Sequence, residues 1–140
     1  MTTNPPPVVT IRTGTTADTQ ALIEFIKPFV EDGKLLPRTF DELDELMQHF
    51  FIAEVNGEIV GCAALEIYSS KLAEIRSLAV SSRHQGLGIG RKLVEACIQL
   101  AQEQKILEVM AITSTEDFFL ACGFDFTLPG EKKALFYQTR

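Results

Sequence analysis

The sequence predicts an α+β fold in three α/β/α layers, a mixed and mostly antiparallel sheet of about six or seven strands flanked by about four helices. Three observations carry this reading. Asn56-Gly57 joins two apolar runs, the signature of a tight antiparallel hairpin. Two stretches ahead of it repeat apolar residues at helical spacing. Behind it come an apolar run, a glycine-rich loop, a helical pattern and another apolar run, which is the layout of a β-α-β unit.

In chain order, residues 1–7, with Pro5, Pro6 and Pro7 in succession, form an extended or disordered tail, and 8–140 form one domain. Residues 8–12 alternate as a short strand. Thr15 or Thr16 caps a helix with Leu22, Ile23, Ile26, Phe29 and Val30 at helical spacing, which Pro28 kinks or ends. Residues 33–38 are an exposed loop. Thr39-Phe40-Asp41-Glu42 reads as a capping box opening a helix with Leu43, Leu46, Met47 and Phe50 on one face. Residues 51–55 and 58–68 are the hairpin arms, and 73–80 the next strand. The helix after the glycine loop turns Leu93, Val94, Cys97, Ile98 and Ala101 inward. Residues 106–112 form a strand, 115–122 a short helix closed by Gly123, and 124–128 with 134–138 two closing strands.

Composition excludes several classes. A chain of 140 residues buries roughly 68–70% of its unfolded surface without a covalent staple. The net charge of −6 argues against nucleic acid as a partner, because a phosphate backbone is held by clustered Lys and Arg. Cys62, Cys97 and Cys122 are odd in number, far apart and without a C-x-x-C pair, so they read as free thiols in a reducing cytoplasm rather than as metal ligands or a disulfide framework. The N-terminus lacks the basic region and apolar run of a secretory signal. No apolar stretch approaches the ~20 residues that span a bilayer, so no membrane partner is expected. Oligomeric state stays open, a homodimer included.

The most informative segment is Leu78-Ala79-Val80-Ser81-Ser82-Arg83-His84-Gln85-Gly86-Leu87-Gly88-Ile89-Gly90-Arg91-Lys92-Leu93. Alternate glycines between a strand and a helix let backbone N–H groups and the helix N-terminus converge on an anion. Arg83, Arg91 and Lys92 oppose the helix dipole there unless an anion is bound. The alternative is a plain strand-to-helix turn. A nicotinamide fingerprint fails on spacing, since the third glycine would fall at Arg91 or Leu93, and a Walker loop fails because Gly90 is followed by Arg91-Lys92-Leu93.

Arg83-x-x-Gly86-x-Gly88, set between strand and helix, resembles the pyrophosphate-binding loop of the GNAT N-acetyltransferase superfamily. The element order is similar over nearly the whole chain. Residues 73–80 resemble the superfamily's fourth strand, and Phe118-Phe119-Leu120-Ala121-Cys122-Gly123-Phe124 its helix-to-strand junction. Lys34-Leu35-Leu36-Pro37-Arg38-Thr39, Gly61-Cys62-Ala63-Ala64-Leu65 and Glu74-Ile75-Arg76-Ser77-Leu78-Ala79-Val80 resemble the acetyltransferase domain of N-acetylglutamate synthases, but not their amino-acid-kinase domain. The resemblance implies acetyl-CoA as cosubstrate with no metal. It assigns cofactor contacts to Leu78, Ala79 and Val80 on the strand and to Arg83, His84, Gln85, Gly86, Leu87, Gly88, Ile89, Gly90 and Arg91 in the loop. Within that set, the N–H of Leu78 polarises the thioester carbonyl and Val80 pairs with pantetheine.

Acetyl transfer to an amine needs a neutral nitrogen, a donor for the tetrahedral oxyanion and a proton source for the thiolate. Glu74, in a mostly apolar strand leading to the cradle, is the candidate base, its pKa expected to rise with desolvation; the resemblance gives the superfamily's catalytic glutamate, which commonly acts through water, the same position. Its alternative is a solvent-facing carboxylate paired with Arg76. Ser77 faces the same site as Glu74 only if a β-bulge intervenes, and is otherwise a small filler. Where many family members carry a tyrosine as acid, this chain has Phe119. Tyr68 and Tyr137 are its only tyrosines. Thr113 or Ser114 could donate instead, or simply cap the next helix.

Arg38 and Arg76 suit an acceptor carboxylate, since a guanidinium binds one bidentately. Arg38 could equally be a solvated loop charge, and Arg76 could serve Glu74. The expected activity is acetyl transfer by direct attack to the amino group of a small amino acid such as glutamate, with arginine biosynthesis as the context the synthase resemblance implies. The alternatives are a polyamine, another small amine or a protein N-terminus as acceptor, or a non-catalytic acyl-CoA-binding module.

Overall fold

The apolar runs pair in chain order into one sheet. A computed structural model, describing residues 7–127 and 130–139, gives β1 (Thr10–Thr13), α1 (Thr19–Glu31), α2 (Phe40–Leu46), β2 (Phe50–Val55) and β3 (Glu58–Ile67). It continues with β4 (Leu72–Val80), α3 (Ile89–Glu103), β5 (Glu108–Met110) and α4 (Glu116–Ala121). The sheet order is β1-β2-β3-β4-β5. All neighbours are antiparallel except β4 and β5, which are parallel because α3 provides the crossover between them.

Local chemistry fixes the turns. Asn56 and Gly57 have φ of 52° and 76°, the positive pair a type I′ turn requires. The Thr39 hydroxyl accepts a 3.1 Å bond from the Glu42 N–H and so caps α2. The helices then cover both sheet faces. Leu22 and Ile26 of α1, with Leu43, Met47 and Phe50, pack on Cys62, Ala64 and Ala79, while Leu93, Val94, Cys97 and Ala101 of α3 pack on Ala63, Leu65, Ala73 and Ile75. β3 is therefore buried without a break from Val60 to Leu65, as a strand covered on both faces should be. Its small residues let α3 approach: a Cβ on Gly61 would lie 3.1 Å from Ile89 and Leu93 side-chain carbons.

Two features position the site. β4 pairs with β5 over Leu72–Glu74 only. Against β3, Cys62 pairs with Ala79 but Ala64 with Arg76, so Ser77 and Leu78 together oppose Ala63. That is a β-bulge, and Ser77 carries its positive φ of 57°. Burial pushes the Cys62 thiol up to about 12, so it stays protonated and donates to the Ser77 carbonyl at 3.2 Å.

Several expectations are corrected. Among the described residues the sheet has five strands rather than about six or seven. Residues 124–127 and 130–139 form no strand, and Leu135, Phe136 and Tyr137 are 92%, 68% and 89% exposed. Alternation makes a strand only where an edge accepts its hydrogen bonds, and a lone hairpin is marginal in water. Leu128 and residues 1–6 lie outside the described residues. Pro28 does not end α1, which continues to Glu31 with the Asp32 N–H bonded to the Pro28 carbonyl at 3.0 Å. In the last turn a proline removes a single helical bond.

One ion-pair cluster ties the start of α1 to the sheet. Arg12 of β1 donates twice to Asp18, at 2.8 and 2.7 Å, and once to Glu54 of β2 at 2.6 Å. Asp18 also accepts the Thr15 N–H at 2.8 Å. The Arg12 bonds hold the Asp18 carboxyl down at about 2, against the opposing effect of burial and with help from Thr15. Because the folded value is depressed below the ordinary ~3.9, this stabilisation is complete above that value and is lost as pH falls through about 2. Asp18→Asn should cost about 1–2 kcal/mol at pH 7, discounted for the partly exposed guanidinium. Urea titrations should show the gap from wild type closing on acidification towards pH ~2.

Candidate active site

Where β4 parts from β5, a cleft of about 730 Å³ opens. Its walls are the α1–α2 loop (Lys34, Leu35, Leu36, Arg38), β4 from Glu74 to Leu78, the segment Ile112 to Thr115 after β5, and Phe119 of α4. The bulge resolves the odd spacing of Glu74 and Ser77, since both line this cleft. Arg38, Arg76, Leu78, Thr113 and Ser114 line it as well. All seven residues singled out for catalysis and acceptor binding thus converge. A second hollow of about 500 Å³ between β1, β2 and α3 offers little: its Arg12 is committed to Asp18 and Glu54, and its Glu95 pairs with Arg91.

The charged side chains form one network. The Arg38 side chain is only 8% exposed and donates to Glu66 Oε1 at 2.8 Å; Arg76 donates to Glu66 Oε2 at 3.2 Å. Arg38 is not a solvated loop charge, and Arg76 pairs with Glu66 rather than Glu74. Burial alone would raise the Glu66 carboxyl, but the bonds from Arg38, Tyr68 and Arg76 outweigh it and hold the group below the usual carboxylate range. The Tyr68 hydroxyl donates to Glu74 Oε1 at 2.6 Å, with Glu66 Oε2 3.0 Å away. Glu74 itself is buried, 8% exposed.

Glu66 and Tyr68 were not anticipated from sequence, although register could have found them. An antiparallel pair connected at residues 69–71 sets 67 against 73 and 66 against 74, which is the observed pairing. On the opposite wall Thr113 behaves as a turn residue: its hydroxyl accepts the Thr115 N–H at 2.9 Å and lies 2.9 Å from the Thr115 hydroxyl. Phe119 is 8% exposed, edge-on to Phe118 and Phe124 at centroid distances of 5.1 and 5.3 Å. It supplies an apolar wall.

The cradle adjoins the cleft. Gly86 and Gly88 have φ of 83° and 74°, and a Cβ on either would meet nothing within 4 Å, so both are required by conformation and leave the backbone open to a ligand. Gly88 is the N-cap of α3, whose first N–H groups lack helical partners. Gly90 has a different reason: its Cβ would come within 3.2 Å of Phe118, so it admits α4. The buried Nδ1 of His84 has no hydrogen-bond partner among the described residues. Arg83, Arg91 and Lys92 are exposed around the helix start. This is a basic, backbone-lined surface that fits a polyphosphate, and beyond Glu74 the β5-facing edge of β4 pairs with no strand among the described residues, which leaves it able to bond an extended chain. Among the described residues no group of three His, Cys, Asp or Glu could hold a metal ion, and no helix is long and apolar enough to cross a membrane.

The sequence profile of the Acetyltransferase (GNAT) family matches residues 18–124. An uncharacterised N-acetyltransferase of Chlorobaculum tepidum is 35% identical over 114 residues, covering 81% of this chain and 74% of that protein. An amino-acid acetyltransferase of Mycobacterium tuberculosis is 34% identical over 118 residues, 81% of this chain and 67% of its own. N-acetylglutamate synthase from Neisseria gonorrhoeae, solved with coenzyme A and N-acetyl-glutamate, superposes with a TM-score of 0.74 at 30% identity. That match covers 84% of this chain and 28% of the synthase. The chain therefore belongs to the GNAT acetyltransferase family, as an N-acetyltransferase that uses acetyl-CoA.

Proposed function

We propose that the acceptor is a small amino acid such as glutamate, acetylated on its α-amino group with Glu74 as general base. The observation that carries this reading is the charge of the cleft. Lys34, Arg38 and Arg76 line it against the single carboxylate of Glu74, and Glu66 behind them offers one negative charge to two guanidinium groups. Each guanidinium has five N–H donors, so both retain donors for an acceptor carboxylate. A polyamine would meet like charge on the same wall. The relatives named amino-acid acetyltransferases and the N-acetyl-glutamate bound to the structural neighbour support the same choice.

The steps follow from placement. The acceptor carboxylate docks on Arg38 and Arg76, which brings its amino group beside Glu74. Glu74 takes a proton from the ammonium, directly or through one water, and the freed nitrogen attacks the acetyl carbonyl. The backbone N–H of Leu78, at the bulge, is the donor for the developing oxyanion. The carbon–nitrogen bond forms as the carbon–sulfur bond breaks, and CoA leaves as the thiol after taking up a proton. Ser77 keeps the bulge small, while Thr113 and Ser114 bring hydroxyls to the opposite wall. No covalent acetyl-enzyme is formed.

Three variants test the parts separately. Gly88→Glu places a charged side chain in the cradle, so the stabilisation of about 2.7 kcal/mol expected from acetyl-CoA at 100 times its Kd should vanish from thermal melts. An undiminished shift removes Gly88 from the cofactor site. Glu74→Gln should lower kcat by roughly 10²–10⁴ while acetyl-CoA binding persists; near-normal turnover at neutral pH rejects the base assignment. Arg38→Leu should raise the acceptor KM at least tenfold, with poor rescue by Arg38→Lys because a point charge lacks the bidentate fork. If L-glutamate amidated at its carboxylates reacts as well as the free acid, the carboxylate-docking reading is wrong.

A further inference from the structure

Glu66 and Glu74 are register partners on adjacent strands. Two carboxylates placed opposite each other repel, and such pairs favour protonation of one member. A base that must be ionised at neutral pH is badly placed there unless something favours its charge. Glu66 is neutralised by Arg38 and Arg76. Glu74 accepts one hydrogen bond among the described residues, from Tyr68. At 2.6 Å it falls in the short range of hydroxyl-to-carboxylate bonds, against 3.0 Å to Glu66. Tyr68 is 52% exposed, so core packing does not explain why its hydroxyl meets Glu74.

We propose that Tyr68 is a positioning residue for the reaction: its hydroxyl fixes the Glu74 carboxylate through Oε1, leaves Oε2 for the acceptor or its bridging water, and stabilises the ionised base beside Glu66. This rests on the reading of Glu74 as the base. Tyr68 itself keeps its proton throughout, since burial and then the two neighbouring carboxylates push the phenol well above the ordinary tyrosine range. Among the described residues, the charged and titratable groups around Glu74 are Glu66 of β3, Tyr68 just after that strand, Arg76 on β4, and Lys34 and Arg38 from the α1–α2 loop. The β5 side brings none: Met110 is the register partner, and residues 112–115 of the wall are uncharged. Arg76 is engaged with Glu66, which leaves Tyr68 as the group that acts on Glu74 through a hydrogen bond.

The test combines carboxylate ¹³C titration with pH profiles of kcat/KM for L-glutamate, in the wild type, Tyr68→Phe and Glu74→Gln. Glu74→Gln identifies the Glu74 resonance. In Tyr68→Phe the Glu74 midpoint and the acid limb of the profile should rise together by about one to two pH units, the shift equivalent to one charge-assisted bond. The Glu66 midpoint should rise as well, since that carboxylate also loses a bond from Tyr68, while the acetyl-CoA KM should hold and rates well above the new limb should recover. A Glu74 midpoint that does not move overturns the role of Tyr68. So does a rate lowered equally at every pH, which marks damage to the fold. Wild-type turnover in Glu74→Gln removes the base assignment and this proposal with it. Loss of turnover in Glu74→Gln beside an unshifted Tyr68→Phe titration leaves Glu74 as the base and removes Tyr68 alone.

Discussion

The parting of β4 from β5 after three paired residues is the constraint on which the site depends. A parallel pair that continued would satisfy the β4 edge and leave no cleft. Because pairing stops at Glu74 and Met110, the backbone from Ile75 onward keeps an edge free for a ligand, and a gap opens whose walls need not be complementary. The bulge at Ser77 and Leu78 then does what separation alone cannot: it brings Glu74 and Ser77, of opposite parity, to one cleft. Its positive φ costs backbone strain of about 1–3 kcal/mol at a non-glycine residue. The Cys62 thiol on the Ser77 carbonyl and burial of Ala79 against the α1–α2 layer hold that geometry in place.

A second dependence runs through Glu66. Its carboxylate anchors Arg38 at the far end of a loop whose Lys34, Leu36 and Pro37 are exposed, while the near end is held by Leu35 on the core and by the Lys34 and Leu35 N–H groups on the Phe29 carbonyl. Breaking a buried pair by removing one partner costs about 3–5 kcal/mol because the other charge stays buried. The pair is only partly buried here, so the cost is smaller, but the direction is the same: loss of Glu66 releases the Arg38 end of the loop and leaves two guanidinium groups without the carboxylate between them. On the proposed reading, acceptor docking and the placement of Arg38 are therefore linked, and a change at Glu66 should not be read as a change in chemistry alone.

Much of this was legible in the sequence, for identifiable reasons. The hairpin, the capped helices and the cradle are local: each depends on residues within one or two turns, such as Asn56-Gly57, Thr39 with Glu42, or Gly86 and Gly88. The bulge was expected only conditionally, because nothing local distinguishes Ser77 from a filler until its pairing with β3 is known. Glu66 and Tyr68 were missed for the same reason, since their importance arises across strands. Gly90 was read with the other glycines of the cradle, although it is the size of Phe118, almost thirty residues on, that forbids a side chain there. The closing strands failed in the opposite direction: alternation in residues 134–138 is a local signal, and no edge among the described residues pairs with it.

The two walls of the cleft differ in a way that bears on the missing tyrosine. Lys34, Arg38, Glu74 and Arg76 stand on one side, and Ile112, Thr113, Ser114, Thr115 and Phe119 on the other. On the proposed reading, the charges that recognise an anion or take a proton lie on one wall, and the facing wall has hydroxyls and an aromatic ring. Phe119 is locked edge-on to Phe118 and Phe124, so a hydroxyl at that ring's tip would need its own partner in an apolar setting, at a desolvation cost of about 1–3 kcal/mol if left unpaired. This chain instead has a tyrosine bonded to the cleft carboxylate Glu74, at Tyr68, where two carboxylates satisfy it. There burial, and then the two carboxylates, hold the proton on the phenol, so it is not poised to protonate a departing thiolate, while its hydroxyl is placed to fix the Glu74 carboxylate. On the proposed reading, the same functional group has exchanged work on the leaving group for work on the base, and the protein's protonic chemistry is concentrated on the side where the acceptor enters.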